Sequence, residues 1–180
     1  VRMIDRPNSK AIDRKRRLAL PHADLPIRDP EERARDFDEP YGEWDLDTAR
    51  TQAERRIQWP APPCVQACPL ENDIPYALLL LEHGEVENAA SIFRATSTMP
   101  EVCGRVCPQS ELCEGACVYT KQGQPPVPIG RLEAFVADRT VRPPLEWPDR
   151  AGHRAAVVGA GPAGLTVAER LTRRGHEVSV

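Results

Sequence analysis

"CGRVCPQSELCEGAC" (residues 103–117) contains four of the six cysteines of this 180-residue chain. Three, five and three residues separate them, and Pro108 directly follows Cys107. The other two cysteines lie in "CVQACP" (residues 64–69), again with a proline after the second. Six thiols in this arrangement could form disulfides, bind zinc or hold an inorganic cluster.

The charge balance gives no electrostatic footprint for nucleic acid. Lys and Arg total 24 and Asp and Glu total 27, a formal charge of −3, whereas nucleic-acid-binding domains carry a basic stripe. The longest apolar run is far shorter than the ~20 residues of a membrane helix, and no signal-peptide core follows the first residues. We therefore expect no nucleic-acid partner, no membrane insertion and a cytoplasmic location.

A cytoplasmic location favours a metal or redox protein over a disulfide scaffold. Zinc takes four thiolates in a tetrahedron, typically as two close pairs. The longer loops here and the two Cys-Pro pairs are more typical of iron–sulfur binding. The alternative, a zinc-binding structural or docking module without redox activity, stays open at this point.

The chain reads as a mostly α protein with four segments: an extended arm over 1–44, a helical cysteine domain over 45–140, a linker over 141–153 and a final segment over 154–180. In the arm, only "DPEERARDF" predicts a short helix. The cysteine domain is predicted to contain four helices. The central two form a helical hairpin, and Pro100 is predicted to end it. The four sequences are "DLDTARTQAERRIQW" (45–59), "IPYALLLLEH" (74–83), "EVENAASIFRAT" (85–96) and "RLEAFVADRT" (131–140).

The final segment, "RAAVVGAGPAGLTVAERLTRRGHEVSV", predicts a short buried strand at "AAVV" (155–158), a glycine turn, a helix and a second strand. Its glycines form G-x-G-x-x-G, which is typical of a dinucleotide site when both strands and the helix are in place. The first glycine permits the sharp turn, the second lets a pyrophosphate approach the backbone and the third lets the helix pack on the sheet. The predicted site residues are Gly159, Gly161, Pro162, Ala163 and Gly164.

The acidic residue that grips a ribose is expected ~20 residues beyond such glycines. Two strands also cannot complete a doubly wound sheet. We therefore expect the segment to be the truncated start of a Rossmann-type domain, in the front portion of a longer polypeptide.

Four stretches together resemble the NADPH-dependent glutamate synthase small (beta) subunit family: "CVQACPLENDIP", "CGRVCPQSELCEGACV", "PIGRLEAFVADR" and "VVGAGPAGL". They also resemble the large subunit of the NADH-dependent ferredoxin:NADP oxidoreductase and the N-terminal part of dihydropyrimidine dehydrogenase. The resemblance implies a helical, alpha-helical ferredoxin-like domain with 4Fe–4S clusters, followed by an FAD-binding domain. It further implies an oxidoreductase in which NADPH or NADH binds a downstream domain and electrons pass to a larger redox or amidotransferase-type partner subunit.

The resemblance also implies the cluster ligands. In the family pattern one cluster takes the residues matching Cys68, Cys107 and Cys113, with a fourth ligand that is Glu133 here. All four ligands of that site are intact, and Cys103 is left as a non-ligand thiol. We therefore predict one 4Fe–4S cluster at this site.

The second cluster site of the family pattern is altered in this chain. Relatives supply two further cysteines upstream, where this sequence has Arg56 and Trp59. Only Cys64 and Cys117 would remain as protein ligands. We expect this cluster to be absent or rebuilt, with Arg56 and Trp59 helping to fill the site.

Overall fold

The structure is a computed structural model that describes residues 5, 12–57, 62–142, 144, 148–149 and 152–180. The chain divides into two compact units, Val1–Thr140 and Val141–Val180. The first unit is helical, and the second contains one helix and two short parallel strands. The predicted fold class, mostly α with a βαβ unit after the helical domain, is confirmed.

The helices of the first unit are short. In chain order they are α1 (Arg14–Leu18), α2 (Pro30–Arg33), α3 (Leu46–Glu54), α4 (Pro63–Gln66), α5 (Ile74–Glu82), α6 (Val86–Thr96), α7 (Pro100–Val106), a 3-10 turn (Thr120–Gln122) and α8 (Ile129–Asp138). As its sequence predicts, α3 begins behind Asp45, whose side chain accepts the Thr48 N–H at 2.7 Å. Within the described ranges, no helix combines the length and the apolar character that crossing a membrane requires.

The predicted hairpin of two helices, α5 and α6, is confirmed and forms the centre of the core. Residues 76–81 of α5 are all buried, because this stretch of the helix is mostly apolar on every side. Gly84 ends it with a φ of +82°, donating its N–H to the Leu81 carbonyl at 2.8 Å. The next N–H, of Glu85, reaches the Leu80 carbonyl at 2.9 Å, which completes a Schellman turn.

Pro100 begins a helix and does not end one. The prediction that it terminates the central helical pair was wrong, because α6 already ends at Thr96 and Pro100 is the first residue of α7. Proline suits this first position, where its missing N–H has no partner in the helix. The consequence for the site is that Cys103 lies on a helix.

Helix α7 packs closely against α8 through Gly104. A Cβ atom at this position would lie 2.6 Å from the Gly130 carbonyl oxygen and 2.7 Å from the Ala134 nitrogen. Both distances are too short for a real contact, so only glycine allows the two backbones to approach this far. This packing holds the helix of Cys103 beside the helix of Glu133.

Replacing Gly104 with alanine should therefore lower the free energy of unfolding by about 1–3 kcal/mol, since the added methyl group forces the two helices apart. Chemical denaturation followed by circular dichroism measures the change. Val102→Ala is the matched control, because Val102 lies on the same helix and is 39% exposed. Similar losses in the two variants would contradict the role given to the glycine contact.

The described part of the N-terminal arm packs on the helical core. It contains the expected short helix α2. It also contains α1, which was not predicted from the sequence and which is capped by the Asp13 side chain. Arg17 of α1 is buried and donates to the Glu54 carbonyl at 2.6 Å and to Glu82 at 2.5 Å. Trp44, at the end of the arm, is also buried in the core.

In the second unit, β1 (Arg154–Ala156) pairs in parallel with β2 (Glu177–Ser179), and α9 (Pro162–Thr172) connects them. This is the predicted strand–turn–helix–strand order. The expectation of a buried first strand over 155–158 was wrong, since the strand is shorter and Val158 is fully exposed. The physical reason is that, among the described residues, β1 pairs with one neighbouring strand only.

Candidate functional site

All six cysteines are free thiols and belong to the first unit. Cys64 is on α4, and Cys68 directly follows Ala67, the residue that caps the end of that helix. Cys103 is on α7, and Cys107 is the residue that caps its end. Cys113 and Cys117 lie in the turns that follow α7. The cysteines therefore flank the central α5–α6 hairpin in the sequence, two before it and four after it.

Electrostatic interactions connect the four predicted cluster ligands, whose role as ligands stays a prediction. The charge of Cys107 interacts with those of Cys68 and Glu133. The charge of Cys113 interacts with those of Cys68 and Cys64. Cys68 is thus the shared neighbour of two thiols that lie about forty residues away in sequence.

Glu133, the predicted fourth ligand, is a buried carboxylate with an oxygen that lacks a hydrogen-bond partner in the described part of the chain. It is 7% exposed, and its Oε1 atom has no hydrogen-bond partner among the residues that the structure describes. Burial, with a smaller contribution from the charge of Glu101, raises the pKa of its carboxyl to about 8. A buried oxygen left without a partner calls for an explanation such as an ion, and an iron bound there would supply one.

Raised pKa values keep the Cys107 and Cys113 thiols protonated at neutral pH when no metal is bound. Burial, assisted by the charge of Cys103, raises the pKa of Cys107 to about 11. Burial and the charge of Glu114 raise the pKa of Cys113 to about 12. Because a thiolate is the form that binds a metal, binding must release these protons.

Two polar side chains that were not predicted as site residues hold the cysteine turns in place. Gln109 donates through Nε2 to the carbonyl oxygens of Cys103 at 3.3 Å and Gly104 at 3.1 Å. Glu114 accepts the Gly130 N–H at 3.0 Å, which ties the turn of Cys113 to the start of α8. Both lie inside the quoted cysteine stretch, but their type and spacing do not distinguish them from solvated polar residues.

Cys103 lies beside the predicted ligands and has a polar neighbour of its own. Its Sγ atom is 3.6 Å from the Ser97 Oγ, and it also interacts with Cys107. That Cys103 is a non-ligand thiol stays a prediction.

Cys64 and Cys117 form a second neighbourhood together with Arg56. Arg56 is 5% exposed, and these three residues line a cavity of about 30 Å³. Burial lowers the pKa of the guanidinium to about 9 and raises the pKa of the Cys64 thiol to about 11. Trp59, the other residue expected to fill this position, lies outside the described residues.

This second donor set does not fit a 4Fe–4S cluster on four protein ligands. It offers two thiols and a cation, whereas such a cluster needs four anionic protein ligands. Across the described ranges, no three or more His, Cys, Asp or Glu side chains form a group suited to a single metal ion. That finding applies to both sets. The first set differs from the second in offering four donors, three thiols and one carboxylate, as the predicted cluster requires.

In the second unit, the glycine turn has the geometry that a dinucleotide site requires. Gly159 has a φ of +106°, which side chains rarely adopt, and a Cβ at Gly164 would overlap the Gly159 carbonyl oxygen. Gly161 caps α9 and has open space on the side where its Cβ would point. Pro162, which has no N–H, is the first residue of α9, and the N–H groups of Ala163 and Gly164 follow it at the helix N-terminus, a position that favours an anion.

The sequence profile described as "Dihydropyrimidine dehydrogenase domain II, 4Fe-4S cluster" matches residues 33–143. The chain belongs to this family. The matched range contains every cysteine and Glu133, so the thiols belong to a 4Fe–4S domain. A second profile, "NAD(P)-binding Rossmann-like domain", matches residues 157–180, which include the glycine turn.

Several similar curated proteins are named "Glutamate synthase [NADPH] small chain". The protein from Azospirillum brasilense is 41% identical over 83% of this chain and 32% of its own length. That from Escherichia coli is 38% identical over 91% of this chain and 35% of its own length. That from Mycobacterium tuberculosis is 39% identical over 91% of this chain and 34% of its own length. The resemblance to this family is confirmed, and the chain spans about a third of the length of these relatives.

Proposed function

We propose that the protein carrying this chain is an NAD(P)H-dependent oxidoreductase that passes electrons through FAD and one 4Fe–4S cluster to a partner. The observation that carries the proposal is the grouping of Cys68, Cys107 and Cys113 with the unpartnered buried oxygen of Glu133. When bound, the cluster supplies one-electron transfer. The chain's own contribution is to supply three thiolates and one carboxylate on short, mutually packed elements.

The names of the relatives support the rest of the proposal. A small chain of an NADPH-dependent synthase implies a larger subunit, so we expect a redox or amidotransferase-type partner in the cytoplasm. Residues 45–140 would form the cluster domain, with 1–44 as an arm packed on it and 141–153 as a linker. Residues 154–180 would open the FAD-binding domain, and NADPH or NADH would bind elsewhere in the whole protein.

The assignment of FAD to the glycine turn rests on the family resemblance and on the geometry of the turn. Gly159, Gly161 and Gly164 would let the pyrophosphate approach the backbone, and the first turn of α9 would meet its charge. The downstream nicotinamide would then be the source of electrons and not the ligand of this turn.

Iron analysis of protein purified without oxygen tests the cluster. We expect about four irons and four acid-labile sulfides per chain, with a brown colour that bleaches on reduction. About eight irons would show that the second site is rebuilt with ligands from outside the described residues. Zinc without iron would overturn the proposal in favour of a structural or docking module.

A further inference from the structure

The guanidinium of Arg56 is a buried cation that the cluster does not explain. Its Nε, Nη1 and Nη2 atoms are all buried, and none has a hydrogen-bond partner among the described residues. An arginine side chain stays charged in proteins, and a buried charge without a partner carries a large free-energy cost. The described residues supply no hydrogen-bond partner for this group.

Two carboxylates oppose the two neighbouring guanidiniums, but neither forms a hydrogen bond with Arg56. An ionised Cys64 thiol would also attract this guanidinium. Arg17 lies next to Arg56, donating to its backbone carbonyl at 3.1 Å, and adds to the positive potential. Glu82 interacts with Arg56 at longer range, but it forms its salt bridge with Arg17 at 2.5 Å. Asp73 also attracts Arg56 at longer range, while its side chain accepts the Tyr76 N–H at the start of α5.

A cavity lies against this cation. It measures about 30 Å³ and is lined by the side chains of Arg56, Cys64 and Cys117 together with apolar groups that include Ile57 and Ile129. A water molecule needs about 10–15 Å³ of such volume, so the cavity accepts one or two water-sized species. Its walls are mostly apolar and offer few other polar groups, which suits a monatomic anion better than a large oxyanion.

We propose that Arg56 and this cavity bind one small inorganic anion of the halide class, such as chloride, at the position where the family pattern places a second cluster. The anion neutralises the guanidinium in a place that would otherwise hold four thiolates and iron. The proposal rests on the proposed function only in requiring that no second cluster occupies the cavity. It does not depend on whether the first cluster site, at Cys68, Cys107, Cys113 and Glu133, is loaded.

The test is a chloride titration of the purified holoprotein followed by the width of the chloride NMR line. We expect saturable line broadening that bromide reverses and gluconate, at equal ionic strength, does not. Arg56→Met should weaken binding at least tenfold, since it removes the cation and keeps an apolar side chain of similar length. Arg33→Met, at an exposed arginine of α2, is the matched control and should leave the titration unchanged.

Circular dichroism first establishes that each variant is folded. If Arg56→Met does not fold, Arg56→Lys keeps the charge and should give weaker but saturable binding. Wild-type protein without saturable broadening would overturn the proposal, as would a folded Arg56→Met protein that binds chloride normally. Broadening that appears only in Cys64→Ser would show that the Cys64 thiolate neutralises Arg56, which also overturns it.

The iron content separates this proposal from the proposed function. About eight irons per chain would place a cluster in the cavity and refute the anion site, while leaving the oxidoreductase intact. Iron-free protein that still shows saturable chloride binding would refute the proposed function and support the anion site.

Discussion

Serine in place of Cys107 should reduce the iron content from about four atoms per chain to nearly none, with loss of the brown colour. The reason is that Cys107 is one of the four predicted ligands and interacts electrostatically with two others, Cys68 and Glu133. A serine hydroxyl is a poor substitute because it is not deprotonated near neutral pH, and iron–sulfur clusters are held by thiolates. Iron and acid-labile sulfide analysis on protein purified without oxygen measures the effect.

Cys103→Ser is the matched control for this experiment. Cys103 lies one helical turn before Cys107, faces the same neighbourhood and contacts the Ser97 hydroxyl. If it is not a ligand, the Cys103→Ser protein keeps its iron. Loss of iron in the Cys103 variant with retention in the Cys107 variant would reverse the assignment of the two residues.

The parts of the fold that follow local rules could be predicted from the sequence. Asp45 caps α3, and the continuous apolar run of α5 produces a central buried helix. Gly84 marks the turn between α5 and α6 because its φ of +82° suits glycine. Each of these signals involves residues only a few positions apart.

The features that were missed depend on distant contacts or on ambiguous signals. Nothing near Arg17 in the sequence indicates that its side chain is buried against Glu54 and Glu82, which lie far along the chain. Pro100 is ambiguous because a proline can follow one helix or begin the next. Pro100 follows the last residue of α6 closely and is the first residue of α7, so either role fits the sequence.

The spacing of the cysteines predicted only part of the candidate site. Cysteine spacing indicates a metal or redox site, but it does not say which thiols share a cluster. That grouping came from the family resemblance and stays a prediction, since Cys113 interacts with both Cys68 and Cys64. The missing partners of Glu133 and Arg56 are properties of burial, which no sequence pattern gives for a single charged residue.

The three glycines of the dinucleotide turn make different contributions, and this difference allows a clean test of the ligand. Gly159 is required by its positive φ, and Gly164 by the close approach of the Gly159 carbonyl, so substitutions at either position should disturb the turn itself. Gly161 has a φ of −75° and a ψ of 176°, which any residue adopts, and no atom within 4 Å of an added Cβ. The fold of this unit therefore does not require glycine at position 161, whereas a pyrophosphate close to the backbone does.

Gly161→Leu in the whole protein should consequently give a folded protein with little or no flavin, since the leucine side chain fills the space that the pyrophosphate needs. The measurement is the flavin released on denaturation per chain, with circular dichroism and iron content recorded on the same sample. Arg174→Leu, which adds the same side chain at an exposed position just after the end of α9, is the control and should keep its flavin. Because the cluster ligands all lie in the first unit, the Gly161 variant should also retain its iron. Normal flavin content in folded Gly161→Leu protein would remove FAD from this turn and leave a purely structural reason for the glycine.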